Sequence, residues 1–146
     1  MSAVRIVRAV VIDCHVEDVF AYVSDPLNDP EWCAKVLSVE QVEGSGPGPG
    51  ARYDVLHRPI PLRPARRMAC SCLDWDPPAR MWREDGGAAL IHVGYELESV
   101  WTSTRLAQRD DVARLGAPRA LHPLLRIGIG RHVERQLRAL ERVLEG

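Results

Sequence analysis

The chain contains almost no lysine and carries almost no net charge. Among its 19 basic residues only Lys35 is a lysine, and the formal net charge is −1. Charged residues of both signs are spread along the chain, whereas nucleic-acid binding usually requires a concentrated basic face. The charge balance therefore argues against a nucleic-acid partner, and the length of 146 residues predicts a single domain over residues 1–146.

Long apolar segments are also missing. No apolar run approaches the ~18 residues that a membrane-spanning helix requires. Arg5, Arg8 and Asp13 interrupt the apolar part of the N-terminal segment, which argues against a secretory signal peptide. These absences predict a cytoplasmic protein with no membrane span.

The cysteines form no C-x-x-C motif. They are Cys14, Cys33, Cys70 and Cys72. In a reducing compartment a disulfide framework is not expected, and a zinc site would need more closely clustered nitrogen and sulfur ligands. We therefore expect free thiols and no bound metal.

Motifs for covalent catalysis and for nucleotide binding are absent too. The sequence contains no G-x-S-x-G motif, and no cysteine has neighbours that would activate it as a nucleophile. The glycine-rich stretch GSGPGPG (44–50) has prolines where a dinucleotide-binding loop needs free amides and a following helix. No nucleotide cofactor, and no other cofactor, is expected.

The first third of the chain combines strand and helix signals. A β-branched run over 3–13 predicts a strand, and apolar residues at helical spacing predict a helix over 15–23. The stretch SDPLNDPEW ends this helix, because Pro26 cannot continue it. Asn28 or Asp29 is then expected to cap a second, very short helix.

The rest of the chain predicts six strands and one long helix. The strand segments are KVLSVEQVEG, ARYDVLH, ARRMACSCLDWD, ARMWRED, AALIHVGYELE and VWTSTRLAQRD. A tight turn near Glu98–Ser99 separates the last two, and the proline-rich RPIPLRP (58–64) is expected to be an irregular loop. An apolar stripe at helical spacing over 119–145 predicts the long helix. Because strands joined by tight turns pair antiparallel, this order predicts an α+β fold in which the helix covers a curved sheet.

Several of these segments, taken in order, resemble a known superfamily. They are VFAYVSDPLNDPEW, GARYDV, LDWDPPARMW, YELESVWTSTRL and the closing HVERQLRALERVLE. Together they resemble the Bet v 1-like, START-related (SRPBCC) superfamily, in its polyketide cyclase/dehydrase branch. The resemblance implies a helix-grip fold: a seven-stranded antiparallel curved sheet wrapped on a long C-terminal helix, with two short helices after the first strand. It also implies an interior cavity with its mouth near the RPIPLRP loop.

The resemblance implies a function as well. A polyketide cyclase/dehydrase-like protein would bind a hydrophobic, carbonyl-bearing intermediate in the cavity and promote its cyclisation or dehydration without a cofactor. The same fold serves non-catalytic carriers of a lipid, a quinone or another hydrophobic metabolite, and this alternative stays open. A second copy of the chain, in a homodimer, is a further candidate partner.

Strand alternation selects candidate residues for the cavity. In ARYDVLH, Tyr53 and His57 share a face with apolar residues, and in AALIHVGYELE the apolar face contains Tyr95. All three are therefore expected to point inward, whereas His92 falls on the opposite face. An exposed strand-end position is the alternative for His57.

Arginine offers a second type of candidate. Arg66 and Arg67 are adjacent, so a regular strand points one of them inward; Leu73 and Trp75 favour the odd-numbered face and hence Arg67. A guanidinium in the cavity could polarise a ketone or stabilise an enolate oxygen. The even-numbered register, supported by Met68, remains the alternative.

The catalytic candidates are therefore Arg67, Tyr95 and His57. The candidates for substrate binding are Tyr53, Trp32, Trp75, His132 and Arg83. For the tryptophans, Trp82 and Trp101 included, packing is the main expectation, although indoles also suit a flat ligand. For His132 and Arg83, a position on the surface is the alternative.

Overall fold

The computed structural model describes residues 4–58, 62–87, 90–114 and 118–146. The main elements in chain order are β1 (Val4–Ile12), α1 (Val16–Val23), α2 (Asp29–Trp32), β2 (Val36–Glu43), β3 (Arg52–His57), β4 (Arg66–Asp76), β5 (Arg80–Gly86), β6 (Leu90–Val100), β7 (Ser103–Arg114) and α3 (His122–Glu145). Single turns of 3-10 helix precede α2 and α3, at Pro26–Asn28 and Arg119–Leu121.

The seven strands form one antiparallel sheet in the order β1-β7-β6-β5-β4-β3-β2. The first and second strands of the chain therefore lie at opposite edges, and the segment with α1 and α2 connects them. Helix α3 packs against β1 and α2. The predicted α+β fold, with two short helices after the first strand and a long C-terminal helix on a curved sheet, is confirmed.

The connection between α1 and α2 follows from its prolines and acids. Helix α1 buries Val19, Phe20 and Val23 and ends before the 3-10 turn that begins at Pro26. The Asp25 side chain caps this turn by accepting a hydrogen bond from the amide of Leu27 at 3.1 Å. Asn28 occupies the N-cap position of the second helix, as expected, but neither its side chain nor that of Asp29 makes a cap hydrogen bond, and Asp29 turns into the interior.

The second half of helix α3 packs against the rest of the protein and contacts β1. Val133, Leu137 and Leu140 are buried there. Arg8 of β1 crosses the helix at Gly130, where a Cβ atom would lie 2.6 Å from the guanidinium, and its Nε donates to Glu134 at 2.9 Å. In the first half, by contrast, the predicted stripe is only partly covered, and this leaves space between the helix and the sheet.

Strand β4 changes register in its middle. Its pairing with β5 has a bulge between Cys72 and Asp74, so the inward face contains Cys70 before the bulge and Trp75 after it. The inference that Trp75 places Arg67 inward is therefore wrong. The Arg67 side chain is 71% exposed and forms an ion pair with Asp54 on the outer face.

The last hairpin turns three residues later than predicted. Val100 pairs with Ser103, so the turn consists of Trp101 and Thr102 and not of the Glu98–Ser99 segment. Trp101 has a φ of 59° and is 97% exposed. The expectation that this tryptophan packs in the protein is wrong.

Candidate functional site

Two connected spaces lie between α3 and the inner face of the sheet. A groove of about 420 Å³ runs under the first half of α3, and a small cavity of about 30 Å³ lies deeper. Four residues line both spaces, namely Lys35, His57, Ile91 and Asp110. The predicted mouth, RPIPLRP, includes residues 59–61, which lie outside the described residues.

The walls of the groove are mainly apolar. Ile91 and Val112 contribute from the sheet, and Leu125 and Ile129 contribute from α3. Gly128 lines the groove between them, and a Cβ atom there would meet no atom within 4 Å. The missing side chain at this position therefore contributes to the width of the groove.

Basic side chains gather at one side of the groove. Lys35 follows α2, His57 ends β3, and His132 and Arg135 lie on α3. Burial lowers the pKa of both histidines to about 4, with a further contribution from the Lys35 ammonium group. Both imidazoles are therefore neutral at pH 7.

A hydrogen bond agrees with the neutral state of His132. The amide Nε2 of Gln136 donates to Nε2 of His132 at 3.0 Å. A ring nitrogen that accepts a hydrogen bond carries no proton. Protonation of His132 would thus disrupt this contact as well as place a third cation beside Lys35 and Arg135.

The small cavity contains a buried ion pair. Arg83 of β5 places Nη2 at 2.8 Å from Oδ2 of Asp29, and its Nε lies 3.7 Å from the Asp85 carboxylate. Burial alone would lower the pKa of Arg83, but Asp29, Tyr95 and Asp85 raise it well above its ordinary value. Burial raises the pKa of Asp29 to about 6, and Arg83 opposes this shift. The guanidinium therefore stays charged inside the protein.

Part of the hydrogen-bonding capacity of this pair is unused. Arg83 Nη1, Arg83 Nε and Asp29 Oδ1 are buried and have no hydrogen-bond partner among the described residues. The cavity they border has the volume of about one water-sized group. A carbonyl oxygen entering it would therefore meet free N–H donors.

Asp110 is a functional candidate that was missed at the sequence level. It lies on the inner face of β7, where Gln108 Nε2 donates to its Oδ1 at 2.9 Å, and burial raises its pKa. The adjacent Asp111 points outward and pairs with Arg5 and Arg109. Since Leu106 and Val112 are apolar and share the parity of Asp110, strand alternation could have identified it.

The structure brings together four of the eight predicted residues and places a fifth, Tyr53, in an adjacent recess. Tyr95 and Arg83 line the small cavity, with the guanidinium 5.8 Å from the ring centroid of Tyr95, and His57 lines both spaces. His132 lines the groove. Tyr53 is buried in a separate recess of about 10 Å³ on the other side of Arg83.

The remaining three lie elsewhere. Trp32 is buried and packs edge-on against Tyr95 with ring centroids 6.3 Å apart, and Trp75 packs in the same manner on Phe20 at 5.1 Å. Neither indole is among the described residues that line the groove or the cavity. Arg67, on the outer face, does not reach either space.

The described part of the chain offers no candidate for a metal cluster or for a membrane-spanning helix. No group of three or more His, Cys, Asp or Glu side chains there is arranged to hold a metal ion. No helix there has the length and apolar character needed to cross a bilayer. The four cysteines are free thiols.

Comparison with known proteins gives one family and several similar structures. The family model described as "Polyketide cyclase / dehydrase and lipid transport" matches residues 3–145. A START superfamily protein from Mycobacterium smegmatis has a TM-score of 0.81 at 16% identity, with 97% of each chain covered. No curated protein sequence matches the chain significantly.

Two further structures extend this likeness. The di-domain ARO/CYC protein StfQ, from the steffimycin biosynthetic pathway, has a TM-score of 0.77 at 13% identity; 97% of this chain aligns with 50% of that one. Ara h 8.0201 has a TM-score of 0.69 at 15% identity, with 96% of each chain covered. At these identities the likeness shows the helix-grip fold.

Proposed function

Since the chain belongs to the polyketide cyclase/dehydrase and lipid transport family, a family of ligand-binding proteins, we propose that it binds an apolar, carbonyl-bearing molecule in the groove under α3 and promotes its cyclisation or dehydration. The groove itself is the observation that carries this proposal. Its volume of about 420 Å³ falls within the ~300–1,000 Å³ typical of small-molecule sites. Its apolar walls and its polar inner end suit a molecule with a hydrocarbon body and a carbonyl group.

The arrangement of polar groups supports a particular orientation of the ligand. A carbonyl oxygen directed into the small cavity would accept hydrogen bonds from Arg83, whose Nη1 lacks a partner among the described residues. A buried guanidinium stabilises negative charge that develops on such an oxygen. Arg83 would thus perform the task that the sequence pattern assigned to Arg67.

Proton transfer falls to groups at the junction of the two spaces. Asp110 and His57 line both the cavity and the groove, so an enolisable carbon next to the carbonyl would lie beside them. One of these groups takes the α-proton, the resulting enolate carbon attacks a second carbonyl carbon, and the new alkoxide regains a proton. Loss of that hydroxyl as water, with a second α-proton, completes a dehydration.

Turnover of a model substrate tests the proposal. A poly-β-keto thioester would be incubated with the protein, and cyclised or dehydrated product would be measured by liquid chromatography and mass spectrometry against the spontaneous reaction in buffer. We expect a rate above the spontaneous one, and we expect Gly128→Leu, which fills the groove, to remove the difference. The spontaneous rate in the presence of saturating protein would refute the enzymatic proposal.

Transport of a hydrophobic metabolite is the second candidate function. The observation in its favour is the pKa of about 4 for His57 and His132, because such weakly basic imidazoles are poor proton acceptors at pH 7. Binding of the neutral fluorophore N-phenyl-1-naphthylamine without turnover of the thioester would support transport. Absence of both binding and turnover would refute both functions.

A further inference from the structure

We infer that the ligand carries an anionic oxygen group, such as a carboxylate or an ionised enol, and that Lys35 and Arg135 hold this group at the outer side of the groove. The inference rests on the proposed function, since it concerns the molecule that occupies the same groove. It adds the charge of the ligand and the direction in which the ligand lies.

Lys35 is the first observation. Its side chain is half-buried and lines both the groove and the cavity. Among the described residues no carboxylate lies within 4 Å of its amino group, although Asp110 lines the same spaces. A half-buried ammonium group without an ion pair favours an anion that enters the groove.

The surroundings of the two histidines are the second observation. Apart from burial, the cations Lys35 and Arg135 and the neighbouring imidazole of His57 lower the pKa of His132. For His57, Lys35 lowers the pKa and Asp85 raises it. Cations therefore dominate the potential along this side of the groove, and an anion placed there would be stabilised.

Two acidic residues, Asp29 and Asp85, border the small cavity together with Arg83 and do not line the groove, whereas Asp110 lines both spaces, as Lys35 does. An anionic group pushed inward would meet these carboxylates. The polarity of the site thus orients the ligand, with its neutral carbonyl toward Arg83 and its anionic group toward Lys35 and Arg135.

A pH dependence follows from this orientation. An anion beside His57 and His132 would raise the pKa of both imidazoles, so the complex takes up protons and binding strengthens as the pH falls. Protonation of Asp110 acts in the same direction, because it removes a repulsive charge. A double variant, His57→Gln with His132→Gln, separates the two contributions because it leaves only that of Asp110.

Two fluorescent probes that differ by one sulfonate group test the inference. They are 8-anilinonaphthalene-1-sulfonate and its uncharged analogue N-phenyl-1-naphthylamine, each titrated into the full chain at low and high salt. We expect Lys35→Met to weaken binding of the sulfonate about five- to tenfold, as for loss of one charge-assisted contact, and to change binding of the neutral probe less than twofold. Arg131→Met, on an exposed part of α3 outside the groove, is the matched control.

The outcomes separate the inference from the proposed function. If the neutral probe does not bind the wild type, or binds Gly128→Leu equally well, the groove is not a ligand site and the proposed function fails. If the neutral probe binds in the groove but Lys35→Met weakens both probes equally, or neither, the proposed function stands and the anionic group is refuted. If high salt does not weaken binding of the sulfonate probe, the anionic group is refuted as well.

The single lysine allows an independent measurement. Reductive methylation with ¹³C-formaldehyde labels Lys35 and the N-terminal amine, so the spectrum contains one side-chain signal. We expect decanoate to shift this signal and 1-decanol, of equal chain length, to leave it in place. Equal shifts with both compounds would show that the groove does not distinguish an anion from an alcohol.

Discussion

The guanidinium of Arg83 lies 2.8 Å from the carboxylate of Asp29, and both side chains are more than nine-tenths buried. This ion pair joins the four-residue helix α2 to the middle of the sheet. One turn along α2, Trp32 packs against Tyr95, over which the same guanidinium lies. A short helix with little hydrogen bonding of its own is thus held by one charge pair and one indole.

The first prediction concerns this ion pair. Removal of one partner of a buried pair leaves an uncompensated charge and typically costs ~3–5 kcal/mol. We expect Arg83→Met and Asp29→Asn each to lower the free energy of unfolding by an amount in that range, measured by urea denaturation. The double variant should lose clearly less than the sum of the two, because neither Arg83 nor Asp29 is left unpaired and only Asp85 loses a partner. Strict additivity would show that the two groups are not coupled.

The second prediction concerns Gly128. A glycine inside a helix is about 0.8 kcal/mol less favourable than leucine, and a side chain at this position meets no atom close to its Cβ. Gly128→Leu should therefore leave the melting temperature unchanged or raise it, while it abolishes binding of N-phenyl-1-naphthylamine. Arg131→Leu, an apolar substitution outside the groove, should bind the probe normally. A clear loss of stability in Gly128→Leu would contradict the open space at this position.

The third prediction is the effect of pH on stability. The pKa of His57 and of His132 is about 4 in the folded protein against 6.5 for a free imidazole. Between these values the unfolded chain binds protons that the folded chain does not, so stability falls as the pH decreases from about 6.5 to 4. Asp29, with its pKa raised to about 6, acts in the opposite direction, since its protonated form is favoured in the folded state.

Variants isolate the contribution of the histidines. The melting temperature of the double variant His57→Gln/His132→Gln should decrease less between pH 7 and pH 4.5 than that of the wild type. His15→Gln, on the surface, controls for the loss of one histidine. Parallel curves for the wild type and the double variant would show that these histidines do not titrate as described.

The fourth prediction uses two adjacent aspartates. Asp110 points into the groove and Asp111 points to the outer face, so Asp110→Asn and Asp111→Asn make the same chemical change in two environments. If Asp110 transfers the proton, its variant should lose about 100-fold or more in thioester turnover while it still binds the neutral probe. Asp111→Asn should keep turnover within about twofold, since Asp111 pairs with Arg5 and Arg109 on the outer face and does not line the groove. Equal turnover in both variants would exclude Asp110 as the proton-transfer group.

The fifth prediction concerns the outer face of the sheet. The indole of Trp82 lies over Gly94, where a Cβ atom would be 2.6 Å from the ring, and Arg109 lies 5.3 Å from the same ring. Gly94→Ala should therefore destabilise the protein by ~1–3 kcal/mol through overpacking. Gly94→Ala combined with Trp82→Leu should recover part of this loss in urea denaturation. No recovery would mean that the indole is not the source of the strain.

The fold and part of the site could be predicted because alternation along a strand depends only on neighbouring residues. In β3 and β6 the apolar positions assigned His57, Tyr53 and Tyr95 to the inner face, and the structure agrees. In β4 the same reasoning failed for Arg67. The bulge after Cys72 shifts the inward parity, and its cause is the pairing with β5, which no local pattern in β4 reveals.

The charged residues of the site could not be predicted from the sequence, for a different reason. Asp29 follows an asparagine in a turn, where an acid normally caps a helix, and its partner Arg83 lies on a strand 54 positions later. Lys35 is a single charge between two elements and belongs to no periodic pattern. The meeting of these groups depends on how α2 rests on the sheet, which is a property of the tertiary structure.

The crossing of Arg8 over Gly130 has a consequence for ligands of different length. Together with the hydrogen bonds of Asp13 to Glu145 and of Cys14 to Leu144, this contact holds the last turns of α3 against the end of β1. The earlier turns contribute Leu125, Gly128 and Ile129 to the groove. A ligand that extends from the groove toward the crossing point would therefore meet packed structure, so added length is accommodated away from it.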